Sequence, residues 1–151
     1  MKELAGLLND MRAAGVIKNY ALFGAMAQMR YTEPVATLDA DVLIAVAAPD
    51  RMEESIRVGA WPVQFVPAFS PLTQEAMEQA DAVDFDGIPL RVLRPDYLAV
   101  IALSVGRAKD YARILALLES DSVTRGQIAS LAAQHRLSEA WRRFEARFTD
   151  D

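Results

Sequence analysis

The chain contains no cysteine among its 151 residues, which excludes disulfide bonds and zinc sites with thiolate ligands. It contains a single histidine, His135. Any metal site must therefore be built mainly from oxygen ligands, and such ligands favour magnesium, manganese or calcium.

Long hydrophobic runs are also missing. No apolar stretch approaches the roughly 20 residues that a membrane-spanning helix needs. The first residues, 1–4, include an acidic side chain and no apolar signal core, so we expect neither a membrane segment nor a secretory signal. Because cysteine usage gives no information on the compartment, the missing signal alone leads us to expect a cytoplasmic protein.

Positive charge is in deficit, since 21 acidic residues outweigh 16 basic ones and give a net charge of −5. Non-specific nucleic-acid binding depends on Lys and Arg neutralising phosphates, so we expect no extensive nucleic-acid footprint. A small nucleotide remains compatible with this charge, because a metal ion and a few local groups can hold its phosphates.

The residue pattern predicts alternating helices and strands, followed by helices alone. In chain order, the predicted segments are a helix at 4–11, a strand at 20–23, a short helix at 25–30, a strand at 39–46, a helix from Pro49 to about Arg57, a strand at 61–66, a helix at 73–80 and a hairpin at 82–93 with an Asp-Gly turn. A helical period follows Pro95, with a capping-box pattern at Thr124 and Gln127. We therefore expect an α/β (α+β) fold with a small mixed sheet, in which residues 1–94 form the core and residues 95–151 form C-terminal helices packed on it as one compact unit.

Asp39 and Asp41 are the most informative pair. Residues two apart in a strand point to the same face, so these carboxylates lie together at the start of an otherwise apolar strand. Two like charges so placed repel each other, unless water surrounds them or a divalent cation lies between them. The pair therefore indicates either a solvated strand start or a metal site.

Gly24 and Ala25 join the preceding strand to a short helix. A glycine there allows a ligand to approach the backbone, and the first N–H groups of the helix are free to meet an anion. A phosphate at this turn would face a metal at Asp39 and Asp41 if the two strands are neighbours. The simpler interpretation of Gly24 is a tight strand-to-helix turn.

The run Phe23-Gly24-Ala25, a short helix and then Asp39-Ala40-Asp41 on a strand together resemble the signature of the DNA-polymerase-β-like nucleotidyltransferase superfamily. Residues 92–98 and the run Gly106-Arg107-Ala108-Lys109-Asp110 are similar to its bacterial branch of abortive-infection-type toxin nucleotidyltransferases. The resemblance covers roughly residues 21–118.

The resemblance implies a metal-dependent nucleotidyltransferase, which moves a nucleoside monophosphate from a nucleotide triphosphate to an acceptor hydroxyl. Asp39 and Asp41 would be the catalytic residues and the ligands of Mg²⁺ or Mn²⁺. The acceptor is not specified by the sequence, and RNA ends, proteins and small molecules are all compatible with the same carboxylates.

The resemblance also implies residues that bind the nucleotide. Gly24 and Ala25 would shape the triphosphate pocket, and Arg107 and Lys109 would supply positive charge. From the residues alone, Arg107, Lys109 and Asp110 can equally form a solvated helix face with local ion pairs. His135 falls on a helical stripe, and we expect it to be a half-exposed packing residue rather than a ligand.

The chain departs from the superfamily pattern at several positions. The third carboxylate usual on the next strand is replaced by Gln64, and Asp84 or Asp86 could substitute for it, although Asp86 is better explained by the turn. Ala25 stands where glycine or serine is usual, and Ala102 where the branch often has lysine. These departures favour the alternative function, a catalytically degenerate protein that binds a nucleotide or acts as a toxin–antitoxin-type partner of a small protein.

Overall fold

A computed structural model describes residues 2–28, 30–31, 40–45, 55–58, 61–85 and 87–148. Asp39, one of the two predicted metal ligands, lies outside the described residues, and so does Asp86. Their predicted roles therefore stay predictions.

The described residues form one six-stranded mixed sheet with the order β3-β4-β2-β1-β6-β5. Its strands are β1 Asn19–Phe23, β2 Ala40–Ala45, β3 Ser55–Val58, β4 Trp61–Pro67, β5 Asp81–Phe85 and β6 Ile88–Val92. β2 runs parallel to β4 and β1 runs parallel to β6, whereas the other three pairs are antiparallel. The predicted mixed sheet is confirmed.

Helices flank the sheet, and four of them follow it in the chain. The helices in the described part are α1 Lys2–Ala13, α2 Gly24–Gln28, α3 Pro71–Glu78, α4 Pro95–Val105, α5 Ala108–Glu119, α6 Arg125–Gln134 and α7 Ser138–Arg147. None of these helices combines the length and the apolar character that crossing a membrane requires.

The central strands β1 and β2 carry the middle of the core. Their inner residues are fully buried, as expected for strands covered on both faces: Tyr20, Ala21, Leu22, Val42, Leu43 and Ile44. The same hydrophobic cluster includes Leu98 of α4 and Trp141 and Phe144 of α7. Residues of the C-terminal helices therefore belong to the same hydrophobic core as the central strands. The predicted boundary between two parts of the chain at residue 94 stays a prediction.

Two local predictions are confirmed by the backbone. β5 and β6 form the predicted hairpin, with Phe85 and Ile88 as Cα partners and Gly87 at a φ of 85°. At the start of α6, the Thr124 hydroxyl accepts the Gln127 N–H at 3.1 Å, while Gln127 Oε1 accepts the Thr124 N–H at 2.9 Å. Both features depend on neighbouring residues only, so the sequence determines them locally.

The prediction of a helix from Pro49 to about Arg57 is wrong where the structure describes that segment. Ser55–Val58 is the strand β3, and it pairs antiparallel with β4, so that Val58 and Trp61 are Cα partners. β-Branched Ile56 and Val58 alternate with polar neighbours, which suits a strand, and pairing with β4 satisfies the backbone. Residues 49–54 lie outside the described part.

Candidate active site

The carboxylate of Asp41 lies against the backbone of Gly24. Phe23 and Asp41 are Cα partners in the antiparallel pair of β1 and β2, and Gly24 follows Phe23 directly as the first residue of α2. Gly24 has a φ of 70°, and a Cβ atom placed on it would lie 2.5 Å from Asp41 Oδ2. Glycine is therefore required here twice, by the left-handed backbone and by the close approach of the carboxylate.

A pocket of about 370 Å³ opens beside this contact. Its size falls within the roughly 300–1,000 Å³ typical of small-molecule sites. The lining combines Asp41, Asp110 and Gly24 with three basic side chains and an apolar wall formed by α4. The basic side chains are Arg107, Lys109 and Arg113, and the apolar wall includes Leu98, Ile101 and Val105.

Helix α5 and its N-cap supply the basic side chains of the pocket. Gly106 ends α4 in the left-handed conformation, and Arg107 is the N-cap of α5. Asp110 accepts hydrogen bonds from the Arg107 backbone N–H at 3.1 Å, from its Nε at 2.7 Å and from Nη2 at 3.2 Å. Asp110 is only 1% exposed, so of the solvated helix face with local ion pairs, which the sequence leaves as an open alternative, the structure shows the ion pair but not the solvation of Asp110.

The charges at this turn reinforce one another. Burial raises the pKa of Asp110, but the hydrogen bonds and charge of Arg107, together with the charge of Arg113, outweigh burial and hold the pKa below its ordinary value. The hydrogen bond to Asp110 raises the pKa of Arg107, and the charges of Asp110 and Asp41 add to that rise. Asp110 is therefore ionised at neutral pH, and the negative charge of Asp41 helps to stabilise the positive charge of Arg107.

Sequence reasoning missed two residues of the pocket, Arg113 and Gln28. Arg113 Nη1 lies 3.6 Å from Asp110 Oδ1, at the i,i+3 spacing that could have indicated it. Gln28 of α2 is 4% exposed, and its Nε2 donates to the Arg113 carbonyl at 3.2 Å. No local signal in the sequence indicates this second contact, because it depends on how α2 packs against α5.

The remaining predicted site residues are placed as follows. Ala25 is the second residue of α2, and Gln64 is the Cα partner of Asp41 in the parallel pair of β2 and β4. Asp84 lies on β5, which β1 and β6 separate from β2, and its Oδ2 accepts the Gly87 N–H at 3.2 Å. Asp84 therefore serves the hairpin turn and is not the missing third carboxylate.

The donor chemistry at Asp41 suits a hard divalent cation, since its carboxylate oxygens stand beside a glycine backbone that leaves space. Within the residues that the structure describes, no group of three or more His, Cys, Asp or Glu side chains comes together as a metal site. The second predicted ligand, Asp39, falls outside those residues.

Solved structures similar to this one are nucleotidyltransferase-like proteins. An antigenic nucleotidyltransferase-like protein from Paracoccidioides brasiliensis matches with a TM-score of 0.52 and 13% identity, over 93% of each chain. The antibiotic-resistance factor ANT(2'')-Ia matches with a TM-score of 0.51 and 14% identity, over 95% of this chain and 97% of that one. The chain has a nucleotidyltransferase-like fold. No protein-family model and no curated protein matches its sequence.

Both nucleotidyltransferase-like neighbours align over nearly their whole length, so the likeness covers the sheet and the C-terminal helices together. At these identities the likeness is one of fold. The predicted fold class is thereby confirmed.

Proposed function

We propose that this protein is a metal-dependent nucleotidyltransferase, which binds a nucleotide triphosphate in the pocket and transfers its nucleoside monophosphate to an acceptor hydroxyl. The observation that carries the proposal is the meeting of Asp41 with the Gly24 turn, in one pocket with three basic side chains. A simple tight turn would need the left-handed glycine, but it would not need a carboxylate pressed against it.

The charges favour an anionic ligand. Arg107, Lys109 and Arg113 outnumber the two carboxylates of the lining, Asp41 and Asp110. The basic groups and Asp41 line the same pocket, so a chain of phosphates could extend from the cations to a metal ion held by the carboxylate. The apolar wall of α4 offers a surface of the kind on which a nucleobase packs.

Mg²⁺ or Mn²⁺, held by Asp41 with Asp39 as the second proposed ligand, would orient the phosphates, lower the pKa of the attacking hydroxyl and neutralise charge at the α-phosphorus. In the transfer, the acceptor oxygen forms a bond to the α-phosphorus, the bond to the β-phosphate oxygen breaks, pyrophosphate leaves and the hydroxyl proton is released. The chain's own part is to bind and align the triphosphate between Asp41 and the guanidinium groups.

The acceptor is the open part of this proposal, with an RNA end, a protein and a small molecule as the candidate classes. The direct experiment incubates the protein with each α-³²P-labelled nucleotide triphosphate and Mg²⁺, with and without cell extract. Transfer of label to an RNA, protein or small-molecule fraction, lost in Asp41→Asn, supports the proposal and names the acceptor class. Absence of labelled product with every nucleotide and fraction contradicts it.

A second candidate function is a catalytically degenerate protein that binds a nucleotide or a small protein partner. It is favoured by Gln64, which occupies the position beside Asp41 where the superfamily resemblance implies a third carboxylate. An amide neither serves as a base nor neutralises a second metal ion. Nucleotide binding that requires Asp41, without transfer to any fraction, would favour this candidate over the enzyme.

A further inference from the structure

We propose that Asp110 is a positioning residue, which holds the guanidinium groups of Arg107 and Arg113 as a preformed clamp for a chain of phosphates. The inference rests on the proposed function for the identity of the ligand, a nucleotide triphosphate, but the clamp itself can be tested with inorganic phosphates. Asp110 would act through the two arginines rather than touch the ligand.

The geometry of Asp110 exceeds what a helix cap needs. Its Oδ2 accepts both the backbone N–H and Nε of Arg107, while its Oδ1 accepts Nη2 of Arg107 and lies 3.6 Å from Nη1 of Arg113. Both carboxylate oxygens are thus engaged, and the side chain is almost fully buried while the Arg107 side chain stays 54% exposed. A two-point contact of this kind fixes the plane of a guanidinium.

Two other helices of this chain provide the comparison. The caps of α3 and α6 use neutral pairs, Ser70 with Thr73 and Thr124 with Gln127, and their hydrogen bonds are exposed. Neither neutral pair lines the pocket. Three of the described helices, α3, α5 and α6, begin with a capping box. Of these three, only α5, whose cap lines the pocket, uses a buried carboxylate with two guanidinium partners.

The clamp is connected to the Asp41 region of the pocket through α2. Gln28 near the end of α2 donates to the Arg113 carbonyl, and α2 begins at Gly24, against which Asp41 lies. One short helix, α2, thus provides a set of contacts that reaches both Asp41 and the backbone of Arg113. Such a set is suited to phosphates that bridge the two sides.

Positioning and simple charge attraction predict opposite results for Asp110→Asn. The substitution removes one negative charge from a pocket with three cations, so attraction alone would tighten phosphate binding. If orientation matters more, binding weakens, because asparagine can still accept the backbone N–H but cannot engage both nitrogens of the guanidinium through oxygen atoms. We expect inorganic tripolyphosphate to bind about tenfold more weakly, the size of effect that a misplaced charged hydrogen bond gives.

The experiment measures tripolyphosphate affinity by calorimetry in EDTA, for the full chain and for Asp110→Asn. Thr124→Ala is the matched control, since it removes a cap whose residues do not line the pocket, and it is expected to leave the affinity unchanged. A second variant, Arg107→Lys, keeps the charge and loses the two-point contact, so it should also weaken binding about tenfold. If Asp110→Asn does not fold, the affinity of Arg107→Lys for tripolyphosphate tests the proposal instead.

Unchanged or tighter binding in Asp110→Asn, equal affinity in Arg107→Lys, or no tripolyphosphate binding by the original chain would each overturn the clamp. The proposed function is judged separately by Mg²⁺-dependent nucleotide binding and transfer. Tripolyphosphate binding that depends on Asp110, in a protein that transfers no nucleotide, would leave the clamp standing and overturn the transferase.

Discussion

Asp41 of β2 and Gln64 of β4 are in-register neighbours in parallel strands. The superfamily resemblance implies a carboxylate at the position of Gln64. The amide found there leaves the acidic site one carboxylate short of the superfamily pattern. Two aspartates and one amide can hold one divalent cation, whereas a second cation gains from a third negative charge.

We expect Gln64→Glu to strengthen metal binding and to raise the rate of transfer, because it adds a carboxylate beside Asp41. The apparent Mg²⁺ affinity, measured by calorimetry with a non-hydrolysable triphosphate present, should rise about tenfold. Gln79→Glu, the same change at the exposed end of α3, is the control for added charge and should alter neither quantity. Unchanged Mg²⁺ affinity in Gln64→Glu would show that this position does not belong to the site.

Gly24→Ala should abolish nucleotide binding, because its methyl group would enter the space of the Asp41 carboxylate. Gly15→Ala is a matched control, since Gly15 has a similar φ of 78° and no atom within 4 Å of an added Cβ. Both variants should lose about 1–2 kcal/mol of unfolding free energy from the left-handed backbone alone. Urea denaturation measures that loss, and nucleotide titration should separate the two variants; equal nucleotide affinities would contradict the close approach.

A polar cluster away from the pocket gives a pH prediction. Glu75 of α3 accepts the Tyr97 hydroxyl at 3.0 Å and lies 2.7 Å from His135 Nε2, where His135 is the C-cap of α6. The hydrogen bonds from His135 and Tyr97 lower the pKa of Glu75, and burial, with the bond to Glu75, raises the pKa of Tyr97 to about 12. The packing histidine expected from the sequence is thus partly a hydrogen-bonding residue that joins α6 to α3.

The folded state lowers the pKa of Glu75, so its contribution to stability is present above the ordinary value of 4.5 and is lost as pH falls through the folded-state pKa. We expect Glu75→Gln to lower the melting temperature by about 1–3 °C at pH 7, a small effect because the carboxylate is partly exposed. The difference from the original chain should shrink steadily below pH 4.5. A difference that persists unchanged at pH 3 would contradict this assignment.

Phe144→Ala tests whether the C-terminal helices and the sheet unfold together. Phe144 is 1% exposed and contacts the rings of Trp141, Tyr111 and Phe148. Removing it should cost about 3–5 kcal/mol, as for other large-to-small core substitutions. Circular dichroism and the fluorescence of Trp61 and Trp141 should report one coincident urea transition, shifted to lower urea; two separate transitions would indicate independent units.

The parts of the fold that the sequence predicts well are those decided by neighbouring residues. Local chemistry decides the hairpin between β5 and β6 at Gly87, the capping box of Thr124 with Gln127, and the strand-to-helix turn at Gly24. Strand β3 is not predicted because its alternation of polar and β-branched residues extends over only four positions, and pairing with β4 decides their conformation.

The site shows the same division. The meeting of Asp41 with Gly24 could be expected from two short patterns on neighbouring strands, and Arg107 and Lys109 from the resemblance. The burial of Asp110 could not, because it depends on how α5 docks beside α4 and α2 rather than on its own helical face. The contact of Gln28 with Arg113 joins residues 85 positions apart and has no local signal.

The central claim is that Asp41 holds a metal-bound nucleotide, and calorimetric titration with a non-hydrolysable triphosphate tests it most directly. The account predicts binding with Mg²⁺ that is lost in EDTA and lost in Asp41→Asn, while Asp10→Asn on the exposed surface of α1 binds normally and all three proteins show the same circular dichroism. Equal nucleotide affinity in Asp41→Asn and the original chain, with both folded, would contradict it.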